Sequence, residues 1–277
     1  MSFTVTDSHK MLARQPAVAG LFYPADPDEL HNMVQEMLHK AHQLPGHKVK
    51  ALIAPHAGYI YSGPIAANAY IQLNPLKDKI KRVVLLGPSH RVAFNGLACS
   101  SADYFHMPLG DIPVDKEAIE QISTLPQIQM LDRAHQEEHS LEVHLPFLQE
   151  VLNDFLLVPL VVGEASPDEV AEVLDLLWGG DETLIIISSD LSHYHNYETA
   201  QRMDNQTSYA IESLRPQDIN YDSACGRNPV NGLLSLARKR HLHATTIDLR
   251  NSGDTAGSRD QVVGYGAYLF NNGSIND

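Results

Sequence analysis

The chain has 277 residues, 43% of them hydrophobic, which fits one large α/β domain or two small ones and allows a core that needs no staples. Lys and Arg total 20 against 34 Asp and Glu, a formal charge of −14. That balance argues against nucleic acid and anionic membranes as partners, because both are held through basic side chains.

Only two cysteines occur, Cys99 and Cys225, which is no secreted disulfide framework. The first ten residues lack the apolar stretch of a signal peptide, and no run approaches the ~18–20 apolar residues of a membrane span. A reducing cytoplasm is the expected compartment.

The opening residues, to about Gln15, read as a polar tail. Residues 16–23 are apolar, punctuated by Gly and Pro, and read as an extended segment packed on the domain. Asp26 then reads as the cap of a helix with an acidic first turn, and Leu30, Met33, Val34, Met37 and Leu38 recur at helical spacing. Residues 48–55 read as a strand and 59–63 as a turn. Residues 64–73 read as a helix opened by proline. Strands follow over 82–87 and 96–100, then a helix over 113–125. A helix over 139–151 shows one apolar face of Leu141, Leu145, Leu148 and Leu152.

Residues 155–162 and 183–188 read as buried strands, with helices over 167–178, 198–214 and 229–240 and closing strands over 245–249 and 262–270. The last of these helices ends on Arg238, Lys239 and Arg240, which suits its dipole. Strands alternate with helices throughout, with no internal repeat and no linker. The expected fold is a single α/β domain over residues 1–277, with about 1–13 as a flexible tail. Its central, mainly parallel or mixed sheet carries helices on both faces.

Two apolar strands stop on a histidine: KALIAPH ends at His56 and RVVLLGPSH at His90. A third, TLIIISSDLSH, ends on Asp190 and His193. Open α/β sheets bind ligands at the carboxyl ends of their strands, and imidazole is the commonest protein metal ligand. One site where these strands end is therefore expected, though each histidine could instead be an ordinary turn residue. Asp190 could ligate a metal or orient a histidine, and His193 could act as general acid or base.

Cys225 precedes a predicted helix, and the helix start and Arg227 would favour its thiolate, a ligand for Zn, Cu(I) or iron. A small buried residue is the alternative there. Cys99, inside a strand, reads as core. In HQEEHSLEVH, residues 135–144, His139 and Glu142 share a helical face, as do Glu138 and Glu142, while His144 lies elsewhere. The string is not HExxH. Its members read as outer partners of a ligand or as substrate contacts at the pocket mouth more readily than as direct ligands, with a plain solvated face as the alternative. No G-x-G-x-x-G or P-loop supports nucleotide binding.

The chain resembles the Memo-like family, also called AmmeMemoRadiSam system protein B. The matching segments are RQPAVAGLFYP (14–24), APHAGY (54–59), LGPSH (86–90), EHSLEVHLP (138–146), SSDLSH (188–193) and CG (225–226). The combination is specific where no single piece is. The resemblance implies a fold similar to class III extradiol dioxygenases. It implies a metal held by His56, His90 and Cys225, with Fe(II) or Cu expected and Zn also compatible.

It also implies pocket roles for Asp190 and for His193, the latter resembling the dioxygenase acid/base histidine. Tyr59, His139, Glu142 and His144 complete the candidate pocket. The family name further implies a pathway shared with an AMMECR-like protein and a radical SAM enzyme. Ring-cleaving iron sites use two histidines and a carboxylate, whereas a thiolate here argues against ordinary catechol cleavage. Three readings stay open: a metal-dependent redox protein, an extradiol-type dioxygenase on an aromatic or enediol substrate, and a non-enzymatic module that holds a peptide or partner loop in the pocket.

Overall fold

The computed structural model describes residues 11–46 and 48–273. The expected tail lies outside these residues as far as residue 10. Met11 and Leu12 are exposed, and the chain then enters β1 (Ala13–Arg14). Helix α1 (Pro27–Lys40) starts where the sequence predicts, because the Asp26 carboxylate accepts the backbone N–H groups of Asp28 and Glu29. Strand β2 (Ala51–Ala54) is buried along its whole length. Pro55, lacking an N–H, ends it.

Helix α2 (Tyr59–Tyr70) differs from expectation. Residues 59–63 are its first turns, not a separate turn, and Pro64 lies inside it. Tyr59 fixes this earlier start: its N–H bonds the Phe22 carbonyl at 2.8 Å, and its hydroxyl bonds the Val143 carbonyl at 2.7 Å.

Next come β3 (Arg82–Pro88), β4 (Leu97–Cys99), β5 (Tyr104–Met107) and β6 (Gly110–Pro113). The last two form a hairpin too short for its alternation to register in the sequence. Helix α3 (Lys116–Ile122), capped by Asp115, is followed by β7 (Ile128–Met130) and α4 (Asp132–Gln136).

The continuous helix predicted over 139–151 does not form. Glu142–His144 make one 3-10 turn, and α5 (Leu145–Val151) follows with Pro146 in its first turn. A proline there cannot donate back along a longer helix, so the chain breaks just before it. Glu138, His139 and Glu142 consequently share no helix face. Strand β8 (Leu156–Val162), α6 (Pro167–Leu176), β9 (Thr183–Ser188), β10 (His193–His195), α7 (Tyr197–Glu212), α8 (Arg227–Lys239), β11 (Leu242–Asn251) and β12 (Val262–Asn272) complete the chain.

Among the described residues a nine-stranded sheet runs β10-β12-β2-β9-β3-β8-β4-β7, with β11 also pairing β12. Its middle, β2-β9-β3-β8, is all parallel. The outer pairs β12–β2 and β8–β4 are antiparallel, so the sheet is mixed. Strands β1, β5 and β6 form a second, small sheet. Helices flank the large sheet: α8 packs on β3, β9 and α6, and α2 packs on β2, β12 and α1. This is the single-domain α/β architecture the sequence predicts. Parallel alignment puts the carboxyl ends of β2, β9 and β3 side by side.

One buried ion pair ties the amino-terminal segment to this edge. Arg14 gives its Nη1 to Glu142, its Nε to the His135 carbonyl at 3.0 Å and its Nη2 to the Glu138 carbonyl at 2.6 Å. Glu142 also accepts the N–H groups of Ala17 (2.7 Å) and Val18 (3.0 Å) and the Tyr23 hydroxyl (2.5 Å). Glu142 thus accepts four donors and each guanidinium nitrogen of Arg14 makes one bond, the pairing that such burial requires. Glu142→Gln would leave Arg14 buried without its counter-charge. We expect a loss of about 3–5 kcal/mol, read as a lower urea midpoint at unchanged slope; an unshifted midpoint would refute the pair's role.

Candidate metal centre

Three imidazoles meet where the strands end. Ring nitrogens of His56, His90 and His139 lie within 4.8 Å of one another. His56 follows β2 and His90 follows β3, as the sequence predicts. His139 comes from the loop before α5 and stacks on His90, with ring centroids 4.7 Å apart and an interplanar angle of 18°. Cys225, at the start of α8, puts its Sγ 3.3 Å from His56 Nε2. Its approach depends on Gly226, where a Cβ would fall 2.5 Å from the Ser188 carbonyl. Only glycine lets the helix start come this close to β9.

The far edges of two rings are held, and this sets their tautomers. Ser188 donates its hydroxyl hydrogen to the Ser140 carbonyl at 2.6 Å. Its oxygen, 2.6 Å from His56 Nδ1, must therefore accept from that nitrogen. His90 Nδ1 lies 2.8 Å from Glu138 Oε1 and donates to it. In both rings Nε2 is left as an acceptor, and on His56 it faces the Cys225 thiol. Glu138 also accepts the backbone N–H groups of His90 (2.6 Å), His139 (3.0 Å) and Ser140 (2.9 Å). His139 Nδ1 has no hydrogen-bond partner among the described residues.

The electrostatics favour neutral rings at His56 and His139. Burial drives the His56 pKa well down, and His90 and His139 push the same way. Burial likewise brings His139 to about 4, with the Glu138 carboxylate opposing. For Glu138 itself burial would raise the pKa, but the hydrogen bonds and charge of His90 outweigh it and hold the carboxyl at about 2. Neutral imidazole is the form that binds metals.

The other predicted residues are placed as follows. Asp190 is buried and accepts the His56 backbone N–H at 2.8 Å, so it braces the loop and not the ring. Desolvation raises its pKa to about 7. His193 opens β10, and its Nδ1 donates to the Leu191 carbonyl at 2.8 Å, leaving Nε2 free. Burial lowers its pKa, helped by the nearness of His90. The Cys225 thiol is pushed up by burial and by Asp190, against the depression expected from the helix start and Arg227. Cys99 and Cys225 are both free thiols, Cys99 buried in β4.

Tyr59, Glu142 and His144 do not join the imidazole group. Tyr59 and Glu142 serve the packing described above. His144 Nδ1 meets the Tyr70 hydroxyl at 2.7 Å, and burial takes its pKa to about 3. Glu138, Ser140 and Ser188 make the contacts that hold these rings; the sequence assigns the 135–144 segment a supporting role without singling out Glu138 or Ser140, and does not single out Ser188. Ser188 carried one signal, its place as the last residue of a buried apolar strand.

A profile of the Memo-like protein family matches residues 14–269. The chain belongs to the Memo-like family. A MEMO1 family protein of Aquifex aeolicus is 36% identical, spanning 94% of this chain and 100% of that one. Another, from Methanosarcina mazei, is also 36% identical, spanning 94% of this chain and 99% of its own. Among solved structures, an uncharacterized protein JW3007 of Escherichia coli K12 aligns with a TM-score of 0.49 at 13% identity, covering 78% of this chain and 99% of that one. The Memo-like segment from 188 to 193 is held in turn from α7. Ser192 N–H bonds Asp204 at 3.0 Å, and Gly264 leaves room, since a Cβ there would fall 2.1 Å from the Asp204 carboxylate.

Burial raises the Asp204 pKa from 3.8 to about 6, partly offset by the bonds from Ser192. The folded state thus binds this proton more tightly than the unfolded state. Its contribution is fully present below about pH 3.8 and is lost as pH rises through about 6. Asp204→Asn keeps the acceptor and removes the titration. The variant should be more stable than wild type at pH 7 by about 2–3 kcal/mol, with the gap closing near pH 4 in urea melts. Asp190 shifts in the same sense in both proteins, so the difference isolates Asp204. A gap independent of pH would refute the assignment.

Proposed function

We propose that this protein is a metal-binding member of its family with a redox role, the metal held by His56, His90 and Cys225. The observation that carries the reading is the paired tautomer control: Ser188 and Glu138 each take an Nδ1–H and leave Nε2 as the acceptor on two rings of a group whose ring nitrogens lie within 4.8 Å of one another. The donor set fits Fe(II), copper or zinc, since imidazole with thiolate suits soft and borderline ions. Bound iron or copper would supply electron transfer and Lewis acidity, and zinc Lewis acidity alone.

The remaining chemistry belongs to the chain. His193 offers a free Nε2 to accept or return a proton on a bound molecule. Asp190 holds the backbone under His56, and Ser188 and Glu138 keep two rings in the ligating form. His139 adds a third imidazole, a feature that the two-histidine expectation lacks. It offers a further donor or a wall for the substrate.

The test is elemental analysis of untagged protein and of single variants. His56→Ala, His90→Ala and Cys225→Ala should each lose most of the metal. Ser188→Ala and Glu138→Gln should retain it with roughly 10- to 100-fold weaker affinity, as is typical when a ligand's outer partner is removed. Undiminished metal in all three ligand variants would end the proposal. Oxygen uptake with a catechol panel under Fe(II) separates an extradiol dioxygenase from the redox reading favoured here.

A further inference from the structure

A cavity of about 470 Å³ has Cys225 in its wall, along with Ser89, the residue before His90. The Cys225 sulfur is also the atom 3.3 Å from His56 Nε2. Cys225 therefore connects the cavity to one ring of the cluster. The volume falls in the range of roughly 300–1,000 Å³ usual for small-molecule sites. Pro88, Val92, Phe94 and Val162 supply apolar lining, and Arg227 supplies a cation.

Arg227, in the cavity wall, is held by its neighbours. Its guanidinium lies 3.3 Å from the centroid of the Tyr221 ring. Its Nη2 pairs with Glu164 Oε2 at 3.4 Å, and the other Glu164 oxygen accepts the Tyr221 hydroxyl. This rim fixes the plane of the fork. Arg227 Nε, by contrast, is buried and has no hydrogen-bond partner among the described residues. An unpaired donor on a charged group is costly to bury, and a planar guanidinium edge is the complement of a carboxylate. Rigid positioning lowers the ordering cost of binding. Among the lining residues Arg227 is the cation and Glu164 its carboxylate partner; on a chain of formal charge −14, an anion would be drawn by Arg227 and not by the surface as a whole.

We propose that this cavity binds a small molecule with an apolar body and a terminal carboxylate, the carboxylate on Arg227 and the body on the apolar wall beside Cys225. That the bound molecule is a substrate rests on the reading of the metal centre; that it binds does not. The protein chooses it by one charged contact and one apolar surface, so the neutral amide of the same shape is rejected.

The experiment titrates the full-length protein with phenylacetate, hexanoate and neutral phenylacetamide by calorimetry. Wild type should bind at least one carboxylate saturably, and phenylacetamide much more weakly. Arg227→Gln should weaken carboxylate binding by roughly ten- to a hundredfold, and Arg227→Lys, which keeps charge without the fork, by less. Thermal melts of both variants check folding. Metal content is measured on the same samples. Metal uptake kept with carboxylate binding lost in Arg227→Gln is the expected pair.

No saturable carboxylate binding, equal binding of acid and amide, or unaltered binding in Arg227→Gln would each overturn the proposal while leaving the metal reading intact. Carboxylate binding that needs Arg227, in a protein that takes no metal, would uphold the pocket and overturn the claim that it feeds a metal centre.

Discussion

Ser188 can make its two bonds in only one sense. Its single hydroxyl hydrogen goes to the Ser140 carbonyl, so its oxygen must accept from His56. A side chain with one proton thereby decides where the proton on a ring stands. The same serine joins three separate stretches of chain: the end of β9, the turn after β2 and the loop before α5. Because β2 and β9 are parallel neighbours in register, with Ala54 opposite Ser188, the spacing of that relay is set by the sheet itself.

Much of the scaffold was legible, and for a definite reason. Strands such as β9 are buried on both faces, so they read as unbroken apolar runs, and the residues that end them stand out. His56, His90 and Asp190 were visible for that reason. The cap at Asp26 was legible because it depends on neighbours in sequence. Features set by distant partners were not. The early start of α2 is fixed by Phe22 and Val143. The break before α5 replaces an apolar periodicity that matched a helix equally well. His139 reads as a pocket wall because its spacing to Glu142 suggested a helix face that does not exist.

Cys225 shows the same limit from the other side. Local reasoning from a helix start and an adjacent arginine predicted an easily ionised thiol. In the fold Arg227 turns to Tyr221 and Glu164, and Asp190 closes over the sulfur. A charge next door in sequence was spent on a different face of the helix. Arg227 was therefore read as a helper of the thiol, whereas the structure makes it a feature of the adjoining cavity.

The Arg14–Glu142 pair has a consequence for motion. It fastens the stretch from residue 14 to 23 onto the loop that carries Glu138, His139 and Ser140. Neither stretch can open to solvent without stranding a charge that belongs to the other. Amides of the two stretches should then exchange with deuterium as one cooperative unit, although more than a hundred residues separate them along the chain. The amino-terminal segment acts as a clasp on the loop, and the imidazole cluster gains its rigidity from a contact well outside it.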